Sequence, residues 1–149
     1  MGYITQKMVI KAYKRRQVQK AIGDDLIPAI GQLISQLAGQ MRQGADNREP
    51  ASTVYNKAVL YGASKQIRTL MAQVQNLPED RRYMKHRDIR GGLQTANQKL
   101  IAVIQYAGDE QMSARSVSYY LKEVIDSLRG TIRSIHSYQE IMREAGHRN

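Results

Sequence analysis

The sequence contains no cysteine, no tryptophan and no phenylalanine, and only three prolines. Without cysteine there are no disulfides and no thiolate metal sites. All nine aromatic residues are tyrosines. A core lacking large apolar rings is built from Leu, Ile, Val, Met and Ala, the palette of packed helices. No apolar run approaches the ~18 residues of a membrane span. The basic N-terminus lacks the uninterrupted apolar centre of a signal peptide. Gln6 stands where the myristoylation pattern requires Ser or Thr. No stretch alternates Val, Ile and Thr as a strand would. The expectation is an α-helical protein that stays where it is made, in cytoplasm or nucleoid, or leaves inside an assembly.

Acids are the next scarcity. The chain of 149 residues has 23 Lys and Arg against 13 Asp and Glu, a formal net charge of +10. That length suits one domain with a real core. The charge speaks about partners rather than fold, and a basic domain of this size points first to nucleic acid. The first 23 residues hold six bases, Lys7, Lys11, Lys14, Arg15, Arg16 and Lys20, and no acid. Between Gly2 and Gly23 there is no Gly or Pro, so a helix is expected. On a helical wheel Lys7, Lys11, Lys14 and Arg15 fall on one side, with Arg16 and Lys20 nearly opposite. Ile4, Met8, Val9, Ile10 and Val18 are scattered between them. A helix docked on a core gathers its apolar residues into one stripe. This pattern suits a helical arm that touches a polyanion and also other protein chains.

Along the rest of the chain four amphipathic helices are expected. Gly23 is read as the stop of the arm, with Asp24 or Asp25 capping a second helix and Pro28 in its first turn. There Leu26, Ile27, Ile30, Leu33, Ile34, Leu37, Ala38 and Met41 form one face, opposite Gln32, Ser35, Gln36, Gln40, Arg42 and Gln43. Gly44 to Ser52 reads as a loop, with Ser52 or Thr53 as the next cap. A third helix from about residue 54 to 76 buries Val59, Leu60, Ala63, Ile67, Leu70, Met71 and Val74, and Leu77-Pro78 ends it. Residues 79–92 read as a charged connector broken at Gly91-Gly92. A fourth helix, roughly 93–107, buries Leu93, Ala96, Leu100, Val103, Ile104 and Ala107. Asp109 or Ser113 opens a fifth, whose line of Val117, Leu121, Val124, Leu128, Ile132, Ile135 and Met142 approaches a heptad seam. The fold expected is all-α: a four-helix bundle over 24–149, preceded by a basic arm over 1–23.

Signatures of catalysis are scarce. His86, His136 and His147 lie far apart, none at a metal-ligand spacing from another ligand. His86 and Asp88 are better read as loop residues than as an acid-base pair. Gly91-Gly92 follows no strand and precedes no Lys-Ser or Lys-Thr, so it is no phosphate loop. The protein is read as a non-enzyme without metal, cofactor or small-molecule substrate.

The basic features carry the functional reading. A solvated tail is the simpler account of the arm, but six bases with no acid exceed what solubility asks. On the third helix Lys57, Tyr61, Lys65 and Arg68 are spaced four, four and three apart and share one face. A polar face is ordinary there, so the pattern alone is weak. Arg115, Lys122, Arg129 and Arg133 are mixed with Asp126 and Glu140, and connector bases Arg81, Arg82, Arg87 and Arg90 are partly balanced by Glu79, Asp80 and Asp88. The candidate DNA-binding residues are therefore Lys7, Lys11, Lys14, Arg15, Arg16, Lys20, Lys57, Tyr61, Lys65 and Arg68. Their chemistry is phosphate neutralisation, with Tyr hydroxyls bonding to phosphate or sugar. No helix-turn-helix or zinc finger is evident for sequence readout, and the tyrosines are too dispersed for a single-strand stacking platform. The expected target is duplex, bound without sequence preference.

The basic arm from Lys7 to Lys20, the Gly23-Asp24-Asp25 break and the cysteine-free helices ending in one long helix together resemble, in outline over the whole chain, the major capsid proteins of rod-shaped and filamentous archaeal viruses. That resemblance implies an arm wrapping double-stranded DNA, a bundle packed into a virion wall, dimers built with itself or a paralogous subunit, A-form DNA and a helical filament. The 15 Gln and five Asn depart from the low amide content usual in proteins of very hot habitats. Two other readings stand beside it. One is a regulatory, nucleoid or packaging module acting as a discrete oligomer. The other is an adaptor for proteins or an anionic membrane surface, where the arm's scattered apolar residues allow only shallow insertion.

Overall fold

The structure, a computed structural model, describes residues 20–77 and 86–147. The described chain is all-α, with no strand among the described residues. Its elements are a π-helical turn Ala21–Leu26, α1 (Ile27–Gly44), the single turn α2 (Ala51–Val54), α3 (Lys57–Asn76), α4 (His86–Ala107) and α5 (Ala114–His147).

Three boundaries differ from the sequence expectation, each for a local reason. Helical winding does not stop at Gly23 but runs on from Lys20 through the π-helical turn into α1. No Asp caps α1; Leu26 holds the cap position with helical backbone and no side-chain cap hydrogen bond. The ring of Pro28 would clash with the carbonyl four residues back, and the wider turn before it makes room. At the start of α3 the cap is Asn56, not Ser52 or Thr53. Its side chain accepts from the backbone N–H of Ala58 at 3.0 Å and of Val59 at 3.4 Å, satisfying donors that have no partner inside the helix. The third correction is largest: α4 begins at His86 and passes straight through Gly91-Gly92. Ile89 is buried in its first turns. Gly92 is there for contact, because a methyl in its place would strike the Thr131 side chain of α5.

Other expectations hold. Leu77 is extended (φ −74°, ψ 148°), ending α3 one residue before Pro78. Ser113 opens α5, its hydroxyl accepting from Ser116 N–H at 3.1 Å. The buried stripes are those read from the sequence, with Ile27, Ile34, Ala38 and Met41 on α1, Val59 and Met71 on α3 and Ile132 on α5 only partly covered, and Ile125 and Tyr138 added on α5.

Helix α4 packs between α3 and α5, α5 also packs on α1, and α1 meets α3 only loosely. Side-chain pairs fix the registers. Ser64 donates to Asn97 Oδ1 at 2.7 Å between α3 and α4. Lys99 Nζ donates to Ser127 Oγ at 3.2 Å between α4 and α5. The rings of Tyr106 and Tyr120 meet with centroids 5.0 Å apart on that same seam. At one end the loops are clamped: Ala51 N–H donates to Met112 O and Ala114 N–H to Glu49 O, both at 2.8 Å. Beside the clamp the Tyr55 hydroxyl donates to Ala114 O at 2.6 Å and crowds Gly44, where a methyl would collide with it. Gln40, expected on the polar face of α1, turns inward and accepts from Asn56 N–H at 2.9 Å. Buried polar groups are kept only with such partners.

Candidate nucleic-acid interface

Helix α3 carries no acidic residue between Lys57 and Asn76. Its apolar stripe is turned into the core, so Lys57, Tyr61, Lys65 and Arg68 are all exposed, as the four-four-three spacing predicts. The Ser64–Asn97 hydrogen bond shows which neighbour this face shares. Lys57 lies at the far end of α4, where a methyl at Gly108 would come within 3.3 Å of its Nζ. Its ammonium therefore sits by the carbonyl-rich C-terminus of α4, a favourable position for a cation.

At the opposite end the antiparallel register brings Arg90 of α4 to Arg68 of α3. Both line one surface hollow of about 340 Å³, with Met71, Ala72, Gln75 and Asn76. Both residues are exposed, and neither guanidinium pairs with a carboxylate among the described residues. Arg87, three residues before Arg90, extends the same side of α4. Two guanidiniums beside two side-chain amides make a donor-rich seat for a phosphate or another anion. Between the two ends stands Tyr61, 59 % exposed, and the register sets Ile101, 46 % exposed, at its level. The surface thus offers bases at both ends and an apolar, hydroxyl-bearing middle.

Of the arm's six bases, only Lys20 is among the described residues, and it is exposed. Lys7, Lys11, Lys14, Arg15 and Arg16 lie outside them. Asp25 shares a hollow with Gln73 and Asn76, so the Lys20 end of α1 lies at the Asn76 end of α3. The arm accordingly joins the body at the end where Arg68 and Arg90 meet. Arg87 and Arg90, expected in a solvated connector, stand instead on α4. Their i, i+3 spacing is a helical signal that Gly91-Gly92, with the look of a helix break, conceals. Arg115, Lys122, Arg129 and Arg133 are all exposed on α5, where Arg129 pairs with Asp126 at 3.9 Å.

Among the described residues no three or more His, Asp or Glu converge to hold a metal, and no helix is long and apolar enough to cross a membrane. No family model, curated protein or solved structure matches the chain.

Proposed function

We propose that this protein is a structural DNA-packaging subunit that coats double-stranded DNA without sequence preference and assembles into a filament, as a nucleocapsid or major capsid protein does. The supporting observation is the acid-free outer flank of α3, extended by Arg87 and Arg90 on α4, at the end where the basic arm joins. In this reading the arm and the α3/α4 face grip phosphates, and α1, α3, α4 and α5 act as a four-helix bundle that supplies contacts between subunits. The protein is not an enzyme and needs no cofactor. Its partners are duplex DNA and further copies of itself or a paralogous subunit, and its place is the virion.

A salt titration of binding to a random-sequence duplex tests this. Each phosphate contact contributes about 0.9 to the slope of log affinity against log salt. The full chain should show a steep slope that falls by several units when Lys7, Lys11, Lys14, Arg15, Arg16 and Lys20 are replaced by Gln. A flat titration, or one indifferent to these replacements, would overturn the reading. Electron microscopy of the same mixtures separates filament coating from a discrete regulatory oligomer, because only the former yields uniform filaments. Co-sedimentation with anionic vesicles tests the membrane-adaptor alternative.

A further inference from the structure

The other flank of α3 has opposite chemistry. Where α1 and α3 diverge they leave a continuous groove, in two adjoining parts of about 470 and 660 Å³ that share Ala29, Gln32 and Gln66. Its floor is apolar, from Ala29, Leu33, Val59 and Leu70, and its walls carry the amides of Gln32, Gln36, Gln66 and Gln73. Among the described residues no base lines it, and the only charged ones there are Asp24 and Asp25, both exposed, at one mouth. On a chain of net charge +10, an acidic mouth with amide walls repels nothing cationic and offers phosphate no counter-charge.

We propose that this groove receives the basic N-terminal segment, residues 1–20, of a second copy of this chain. Three observations select that occupant. Residues 1–20 hold six bases and no acid, which complements the Asp24-Asp25 mouth, and their interspersed Ile4, Met8, Val9, Ile10 and Val18 suit an apolar floor between amides able to donate and accept. The basic part of the segment matches the groove in length: along α1 the groove runs from Asp24 to Gln36, about 18 Å at the helical rise, and Lys7 to Lys20 wound as a helix would cover about 20 Å. The described chain does not turn toward its own groove. Winding is unbroken from Lys20 to Gly44, so at Lys20 the backbone is still in line with α1 and has not bent over the groove beside it. A neighbour's segment laid there would keep its other sides free for a polyanion, linking each copy to the next. The inference rests on the assembly part of the function proposed above and not on its DNA part.

The absence of cysteine gives a clean test by disulfide trapping. One full-length preparation carries Met8→Cys. A second carries a single cysteine in the groove, Gln36→Cys, Gln66→Cys or Gln73→Cys. A control carries Gln98→Cys on the outer side of α4. All four of these glutamines are exposed. Mixed and oxidised without DNA, a docked pair reacts at a local concentration that favours the groove over the control about tenfold or more. Adding Asp24→Asn and Asp25→Asn to the groove partner should reduce that excess. Yields equal to the control at all three groove positions would overturn the proposal. So would a Met8→Cys/Gln66→Cys double variant that closes only within one chain. Trapping without duplex binding would leave this inference standing and remove the DNA reading, and the reverse result would do the opposite.

Discussion

The two flanks of α3 differ although one helix builds both. Toward α4 it shows Lys57, Tyr61, Lys65 and Arg68 without an acid, and the helices are held by the Ser64–Asn97 hydrogen bond. Toward α1 it shows Gln66, Gln73, Val59 and Gly62, and the helices part into a groove with aspartates at its mouth. A basic surface and a neutral-to-acidic surface cannot serve the same partner equally. The first suits a polyanion; the second suits a polypeptide, above all a cationic one. A subunit that coats a nucleic acid needs both kinds of surface, turned in different directions.

The comparison breaks most completely if α3 loses its seat. Ile67 lies in the core, and Ile67→Ala should cost about 2–5 kcal/mol through lost burial and the cavity left behind. Chemical denaturation should show it, and duplex binding and trapping should fall together. Next in size is the basic flank alone. Replacing Lys57, Lys65, Arg68 and Arg90 with Gln should lower duplex affinity on every sequence and reduce the salt slope by about three to four, at ~0.9 per phosphate contact. Thermal stability and trapping should hardly move. A stability loss as large as that of Ile67→Ala would show the flank to be structural instead.

A smaller effect is expected at the cap. Asn56→Ala removes the acceptor for two α3 donors and should cost about 1 kcal/mol, read as a shift in the denaturation midpoint. An effect of the same size near neutral pH comes from the loop clamp. Burial pushes the Tyr55 phenol from 10.0 to about 12, the Ser118 hydroxyl pulling weakly the other way. The fold therefore favours the neutral phenol, and that stabilisation is complete below pH 10 and lost as pH rises through about 12. Melting curves between pH 9 and 12 should fall more steeply for the natural chain than for Tyr55→Phe. The variant should also be about 1 kcal/mol less stable at neutral pH, having lost its bond to Ala114 O.

Much of this was legible in the residues. The exposed quartet on α3, the stripes of α1, α3, α4 and α5, the Ser113 cap and the end of α3 before Pro78 all follow from spacings of three and four and from the chemistry of single residues. The misreadings share a cause. Gly91-Gly92 and Gly23-Asp24-Asp25 carry signals of a break, and each lies within continuous winding because of something the local pattern does not encode. For Gly92 it is the approach of Thr131 nearly 40 residues away. For the earlier stretch it is the widened turn ahead of Pro28. Gln40 likewise reads as surface until Asn56 is brought to it.

The sequence by itself determined that the chain is helical, which residues each helix buries, and that the positive charge is concentrated before Gly23, because hydrophobic period, capping and charge are properties of neighbouring residues. Tertiary structure decided that Arg90 joins Arg68, that Lys57 meets the end of α4, and that α1 and α3 part to leave an amide-walled groove. Those outcomes depend on which helices become neighbours and how closely they approach, and that is set by the volumes and hydrogen bonds of residues far apart in the chain, such as Ser64 with Asn97 and Gly92 with Thr131.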